Sequence, residues 1–204
     1  AAPGEATPEG MRRAELEAGI ARWTPRVSAR SVVRSLEQSA RFGIACSIPE
    51  DPWWPPGLAD LGPCAPLALW SRGDARRIAG LVGSAAIVGS RSATDYGRDV
   101  AFELAGGLVD RGVAIVSGGA YGIDEAAHRA TLAGEGLTAA VLAGGLDRFY
   151  PAGHEELFRR IAAVGVLLAE VPCGVPPTGF RFLQRNRLIA ALSAATVVVE
   201  AGSR

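Results

Sequence analysis

Residues 113–134 read VAIVSGGAYGIDEAAHRATLAG. A short, unbroken apolar run enters a turn with three glycines. A segment of helix-like spacing leaves it. The order strand, glycine turn, helix repeats on both sides of this stretch. Apolar runs recur at 85–89, 113–117, 138–142, 165–169 and 195–200, rich in Val, Ile, Leu and Ala. Helix-length segments at 95–111, 122–134, 153–163 and 183–193 separate them. Runs without polar alternation suit parallel strands covered on both faces. Strands alternating with helices imply an open, right-handed parallel sheet with helices on both faces. In such sheets ligands bind beyond the carboxyl ends of the strands.

The residues at those ends are therefore the informative ones. The first run ends in Gly89, Ser90 and Arg91; the second in Ser117, Gly118, Gly119, Ala120, Tyr121 and Gly122; the third in Gly144, Gly145, Leu146 and Asp147. The fourth leads to Glu170 and a loop with Arg181, Arg185, Asn186 and Arg187, and the fifth to Glu200 and Arg204. Glycine admits positive φ and close approach of a ligand to the backbone. The helix behind such a turn offers unpaired N–H groups and a positive dipole end. One such turn can simply be the way a strand enters a helix. Three that converge on one edge point to an anion site.

Composition narrows the chemistry. The chain has 204 residues, 49% of them hydrophobic, with 26 glycines and no formal net charge. It contains no lysine, and all 21 basic residues are arginine, so an anion must be met by guanidinium groups, backbone N–H groups or helix ends. From residue 81 onward there are 11 arginines and 12 acids. This balance excludes a broad basic face. Arg91, Arg181, Arg185, Arg187 and Arg204 sit after strand ends, whereas Asp99, Glu103, Asp110, Glu155 and Glu156 lie on predicted helices. Cys46, Cys64 and Cys173 form no CxxC pair, and His128 and His154 are the only histidines. A zinc site or disulfide framework is not expected, and a reducing cytoplasm fits. No apolar run reaches membrane-spanning length, and the first residues lack a signal-peptide layout. There is no GxGxxG and no GxxxxGK[ST], so neither a nicotinamide cofactor nor a nucleoside triphosphatase is indicated. Asp124 and His128 share a helix face. A hydrogen bond at the helix start explains them better than acid–base chemistry does.

Upstream, 11–22 and 29–42 read as two short helices, and 48–66 as an irregular Pro-rich connector in which Trp53 and Trp54 pack on a neighbouring surface. A strand is expected at 67–70. The domain expectation is a partial helical region over 1–47, a connector with one strand over 48–80 and an α/β domain over 81–204.

Four motifs occur in an order found in one family. IVGSR (87–91), SGGAYGIDEAAH (117–128), GGLDRFYP (144–151) and FLQRNRLIAAL (182–192) resemble those of DprA proteins, also called Smf. WPPGL (54–58) and LALWSRGD (67–74) resemble the segment that precedes the domain in that family. The resemblance implies an extended Rossmann-like fold preceded by a small helical segment. It further implies single-stranded DNA binding, loading of the RecA recombinase during natural transformation, a homodimer, no cofactor and no catalytic or metal centre. Projected onto this chain, the DNA- and phosphate-binding residues are Gly89, Ser90, Arg91, Ser117, Gly118, Gly119, Tyr121, Gly122, Gly144, Gly145, Tyr150, Phe182, Arg185, Asn186 and Arg187. Phe149 and Phe180 are further stacking candidates.

The chain departs from the family at Tyr121, where many members have Arg, and at His154, where Asn is common. It ends at EAGSR, where the family continues, so truncation is expected. The rival readings are a nucleotide phosphoribohydrolase, for which Gly118, Gly119 and Glu125 loosely echo PGGxGTxxE, and a sensor of a nucleotide-like small molecule.

Overall fold

The structure is a computed structural model that describes residues 12–26 and 28–201. The chain divides into two compact units, Ala1–Glu37 and Gln38–Arg204. In the first, helix α1 (Arg13–Trp23) starts with reciprocal contacts between Arg12 and Glu15. Helix α2 (Ala29–Arg41) follows, and its last residues, from Gln38, belong to the second unit.

The second unit is built on seven strands: β1 (Ile44–Ser47), β2 (Leu69–Gly73), β3 (Ala85–Gly89), β4 (Ile115–Ser117), β5 (Thr138–Leu142), β6 (Val166–Ala169) and β7 (Ala195–Val199). Their order in the sheet is β1-β2-β6-β5-β4-β3-β7. Strands β3 to β7 are mutually parallel. The all-parallel expectation needs one amendment, because β2 pairs antiparallel with β6 and β1 antiparallel with β2. Strand β1 escaped the sequence reading. It is four residues long and buries only its two ends, Ile44 and Ser47, which is too little for a periodic signal.

Four helices complete the unit: α3 (Asp95–Val109), α4 (Ile123–Ala133), α5 (Glu155–Val164) and α6 (Gly179–Ala191). Successive strand residues face opposite sides of the sheet, and the core divides accordingly. Ala85, Ile87 and Ile115 pack with Ala101, Ala105 and Ala127 of α3 and α4. Ala140, Leu142 and Leu167 pack with Leu157, Phe158 and Ile161 of α5. On the other face, Ala86, Val116, Val141 and Leu168 meet Leu188 and Ile189 of α6 and Leu192 just after it.

Among the described residues, that second face has one long helix. The remaining cover comes from 3-10 turns at Pro56–Cys64 and Ala75–Leu81, which insert Leu58, Ile78 and Leu81. Leu58 is fully buried, which contributes about 1.5–3 kcal/mol for a side chain of that size. The Pro-rich stretch is thus part of the core lid. Trp54 packs on this cluster, whereas Trp53 is 42% exposed.

Helix α6 begins four residues before the predicted start at 183. Thr178 explains the difference, since its hydroxyl accepts from the Arg181 N–H at 3.3 Å and caps the first turn. The residues read as a loop, Phe180 to Phe182, are therefore helical. From β3 the chain steps through β4, β5 and β6 in one direction, and then α6 carries it back to β7 on the other side of β3. The carboxyl end of β3 is the switch point, where such sheets open a crevice.

Candidate functional site

The crevice is present at that place. A recess of about 410 Å³ is lined by Gly89, Ser90 and Arg91 after β3, Asp124 of α4, Arg185 and Asn186 of α6, and Thr196 and Val198 of β7. A recess of about 160 Å³ adjoins it, bounded by Arg91, Gly118, Gly119, Tyr121, Tyr150 and Phe182. Arg91 is common to both.

The glycine turn is held from beneath. Burial pushes the Asp124 carboxyl up, opposed by the nearby Arg185 charge and by the N–H groups of Ala120 and Gly118. Those two N–H groups donate to Asp124 Oδ2 at 3.2 and 3.1 Å. Arg185, itself buried, donates through Nη1 to the carbonyls of Gly118, at 2.7 Å, and Val141. Burial lowers the Arg185 pKa to about 10 against the pull of Asp124. A Cβ on Gly118 would collide with that guanidinium, and one on Gly122, at φ 81°, with the Ser90 carbonyl. Ser117 is buried and donates to the Ile87 carbonyl at 2.6 Å. The glycines therefore make room for the protein's own groups first.

His154 supports the turn from the side. Its Nδ1 donates to the Gly119 carbonyl at 3.0 Å, and its ring meets Tyr121 edge-on at 4.4 Å. Nε2 lies 3.1 Å from Glu125 Oε2, off the line of a hydrogen bond. Burial raises the Glu125 pKa, but Arg129, bonded at 2.8 Å, and His154 outweigh it and hold the carboxyl below its ordinary value. His128 shares no bond with Asp124. It is fully buried, bonded through Nδ1 to Thr138 Oγ1 at 2.8 Å, and burial lowers its pKa to about 3.

Above the turn lie exposed groups. Arg91 has no hydrogen bond or ion pair among the described residues, and its guanidinium sits 4.7 Å over the half-buried Phe182 ring. Phe182 in turn is 5.7 Å from Tyr150, which is 53% exposed. Tyr121 is 48% exposed. Asn186 is exposed and accepts from Arg185 Nε at 3.2 Å.

Other sequence candidates fall elsewhere. Gly144 and Gly145 face the chain's own loop: a Cβ on Gly144 would lie 2.9 Å from Pro177 Cδ, and the Gly145 N–H donates to the Val175 carbonyl at 2.9 Å. Arg187 pairs with both Glu170 oxygens, at 2.9 and 2.6 Å, and with the Cys64 carbonyl. Phe149 packs on Phe158, under Arg72, while Phe180 is exposed. Arg204 lies outside the described residues. Sequence reasoning anticipated a helix-start hydrogen bond for Asp124 but not its partners, and it missed His154 as a brace of the turn. Their acidic and imidazole character was visible, but the carbonyls and N–H groups they meet are not encoded as side chains.

A glycine turn at the switch point of an open α/β sheet, with an exposed arginine over an aromatic pair, defines an α/β protein with a crevice at the carboxyl edge of its sheet. The chain matches the family described as DNA recombination-mediator protein A over residues 45–204, and it belongs to that family. A Mycobacterium tuberculosis protein that carries the DprA name is 53% identical over 179 residues, 83% of this chain and 46% of its own length. DNA processing protein DprA of Bacillus subtilis is 30% identical over 95% of this chain and 63% of its own. The X-ray structure of the Streptococcus pneumoniae protein superposes with a TM-score of 0.81 at 30% identity, covering 96% of this chain and 65% of that one. The Helicobacter pylori protein, described for its unique single-stranded DNA binding mode, gives 0.69 at 30% identity over 78% and 70%. The chain thus spans about half the length of its Mycobacterium relative. Family and fold agree with the four sequence motifs. No helix among the described residues is long and apolar enough to cross a membrane.

Proposed function

We propose that this chain binds single-stranded DNA along the carboxyl edge of its sheet. The observation that carries the reading is Arg91, an exposed cation without an acidic partner, stacked on Phe182 beside Tyr150. Unpaired strands need a cation for the phosphate and ring faces for the bases. The N–H groups of Gly119, Tyr121 and Gly122, which make no hydrogen bond among the described residues, face the same need for an acceptor. Such contacts hold the backbone without reading sequence. The binding serves DNA processing and recombination, in which the chain acts as a non-enzymatic cytoplasmic homodimer that loads RecA on the strand. Residues 81–204 form the functional domain of this reading, and 1–47 and 48–80 support it.

The test is a titration with labelled single-stranded and duplex oligonucleotides at several salt concentrations. Affinity should favour the single strand and fall as salt rises. Equal affinity for the two at moderate salt refutes the reading. A smaller-ligand reading has one observation in its favour, the 410 Å³ recess, within the size range of small-molecule sites. Competition by a mononucleotide as effective as a long oligonucleotide would select it. The phosphoribohydrolase reading loses ground because Glu125 is held by Arg129 and faces His154.

A further inference from the structure

The groove does not stop at Tyr150. The Tyr150 ring also borders a second recess, of about 220 Å³, walled by Gln38, Asp147, Arg148, Phe149 and the segment 174–177. We propose that this recess holds the next nucleotide of the strand that occupies the Arg91 recess, with its phosphate on Arg148. The proposal rests on the single-strand reading above.

Three observations support it. Arg148 is exposed and has no hydrogen bond or ion pair among the described residues. The acid nearest it in sequence, Asp147, is otherwise engaged: it accepts from the Gly174 N–H at 2.9 Å and from Gln38 Nε2 at 3.3 Å. The cation is left for an outside anion. Second, Val175, Pro176, Pro177 and Phe149 give the recess an uncharged wall that suits the face of a base rather than a second phosphate. Third, the groups follow one another in the order that a strand requires. Arg91 lies over Phe182, Phe182 beside Tyr150, and Tyr150 lines both recesses. A single segment, residues 148–150, delivers Arg148, Phe149 and Tyr150 together. Cation, ring, ring, cation is an arrangement that a strand of any sequence can follow.

The experiment compares wild type with Arg148→Ala, Arg148→Lys, Arg91→Ala and Arg160→Ala, using a labelled oligothymidylate of about twelve nucleotides, within the range one domain can occupy. Arg160 is exposed on α5 and lines neither recess. Arg148→Ala should weaken binding about tenfold at low salt, the effect of losing one charge-assisted contact. The slope of log affinity against log salt should become shallower by about 0.7, one single-strand phosphate. Arg148→Lys should restore most of the slope, because a point charge suffices for it. If Arg148→Ala matches Arg160→Ala while Arg91→Ala still loses affinity, the second subsite is wrong and the edge reading stands. If wild type and Arg91→Ala bind alike, the edge reading fails and takes the subsite with it.

Discussion

The turns after β4 and β5 look alike in sequence and differ in the structure. Both follow buried parallel strands, both place two glycines in succession, and both sit on the carboxyl edge. The turn at 117–122 is open above, under Arg91, Tyr121 and Phe182. The turn at 143–147 is filled by the chain itself, with Pro177 against Gly144 and the Val175 carbonyl on the Gly145 N–H. A glycine records that something comes close to the backbone. It does not record whether that something is a ligand or another segment. Even in the open turn, Gly118 makes room for Arg185 and Gly122 for Ser90. What separates the two turns is whether the space directly over the glycines is open or taken by the chain's own segment 175–177.

The largest effect is expected where the turns are tied together. Arg185 bonds the Gly118 carbonyl of the first turn and the Val141 carbonyl of the strand that leads to the second, with Asp124 nearby. Arg185→Ala leaves two carbonyls and a buried carboxylate without their cation. A loss of about 2–6 kcal/mol in stability is expected for leaving two buried acceptors unpaired, at about 1–3 kcal/mol each, measurable by denaturant unfolding. A variant as stable as wild type would show that the edge does not depend on this brace.

Next is the open turn itself. Arg91 is exposed and bonded to nothing in the described chain, so Arg91→Ala should leave stability within about 0.5 kcal/mol. Affinity for single strands should fall about 10- to 100-fold, a charge-assisted contact of about 1.5–3 kcal/mol. The pairing of lost affinity with unchanged stability is the discriminating result. Lost stability would move Arg91 from the ligand to the fold.

The third concerns pH. His128 is buried on α4 against Thr138, the first residue of β5, and its pKa is depressed to about 3, by burial first and then by His154 and Arg185. The unfolded chain binds that proton near pH 6.5 and the folded chain resists it. Stability from this group is therefore complete above about pH 6.5 and is lost as pH falls towards 3. Between pH 7 and 5 the loss is roughly 2 kcal/mol. His128→Gln should unfold with a correspondingly flatter pH dependence over that interval. An identical slope in the variant would show that His128 is accessible to protons in the folded state.

Much of the edge was legible. The central strands bury both faces and so read as unbroken apolar runs, and their carboxyl ends could be located to within a residue or two. The antiparallel extension was legible only in part: the strand expected at 67–70 overlaps the start of β2, but β1 has four residues, and what lies between them is a Pro-rich stretch that reads as irregular. That stretch hides Leu58, which caps the core from a 3-10 turn with no period to detect. At the site, Arg91, Tyr150 and Phe182 could be nominated by type and position. The order of the arginines could be reasoned from helix geometry, since Arg185 shares a face with Leu188 and Ile189. A helix-start bond could be read for Asp124, but not that its partners are N–H groups of the turn, nor that His154 holds the Gly119 carbonyl, because backbone partners leave no mark in a sequence.

The smallest effect is expected on the filled side, at Arg187. Sequence placed it among the phosphate ligands, and it does lie at the carboxyl edge. Its guanidinium, though, meets both oxygens of Glu170, the residue after β6, and also the Cys64 carbonyl. The shallow space beside Ala143 of the second turn is lined by that same Glu170. Arg187 thus has little donor capacity left, and any phosphate near it would meet a carboxylate. The pair is about a quarter to a third exposed, so its loss should cost about 1 kcal/mol of stability. Single-strand affinity for Arg187→Ala should stay within about twofold of wild type, less than half a kcal/mol. A second variant isolates the charge: Glu170→Gln keeps the size of its side chain and frees Arg187 from its acid. If the filled side takes no part in binding, Glu170→Gln leaves the salt dependence unchanged. If it steepens that dependence, the freed arginine has found a phosphate, and the difference between the two turns is one of occupancy by an internal anion rather than of position.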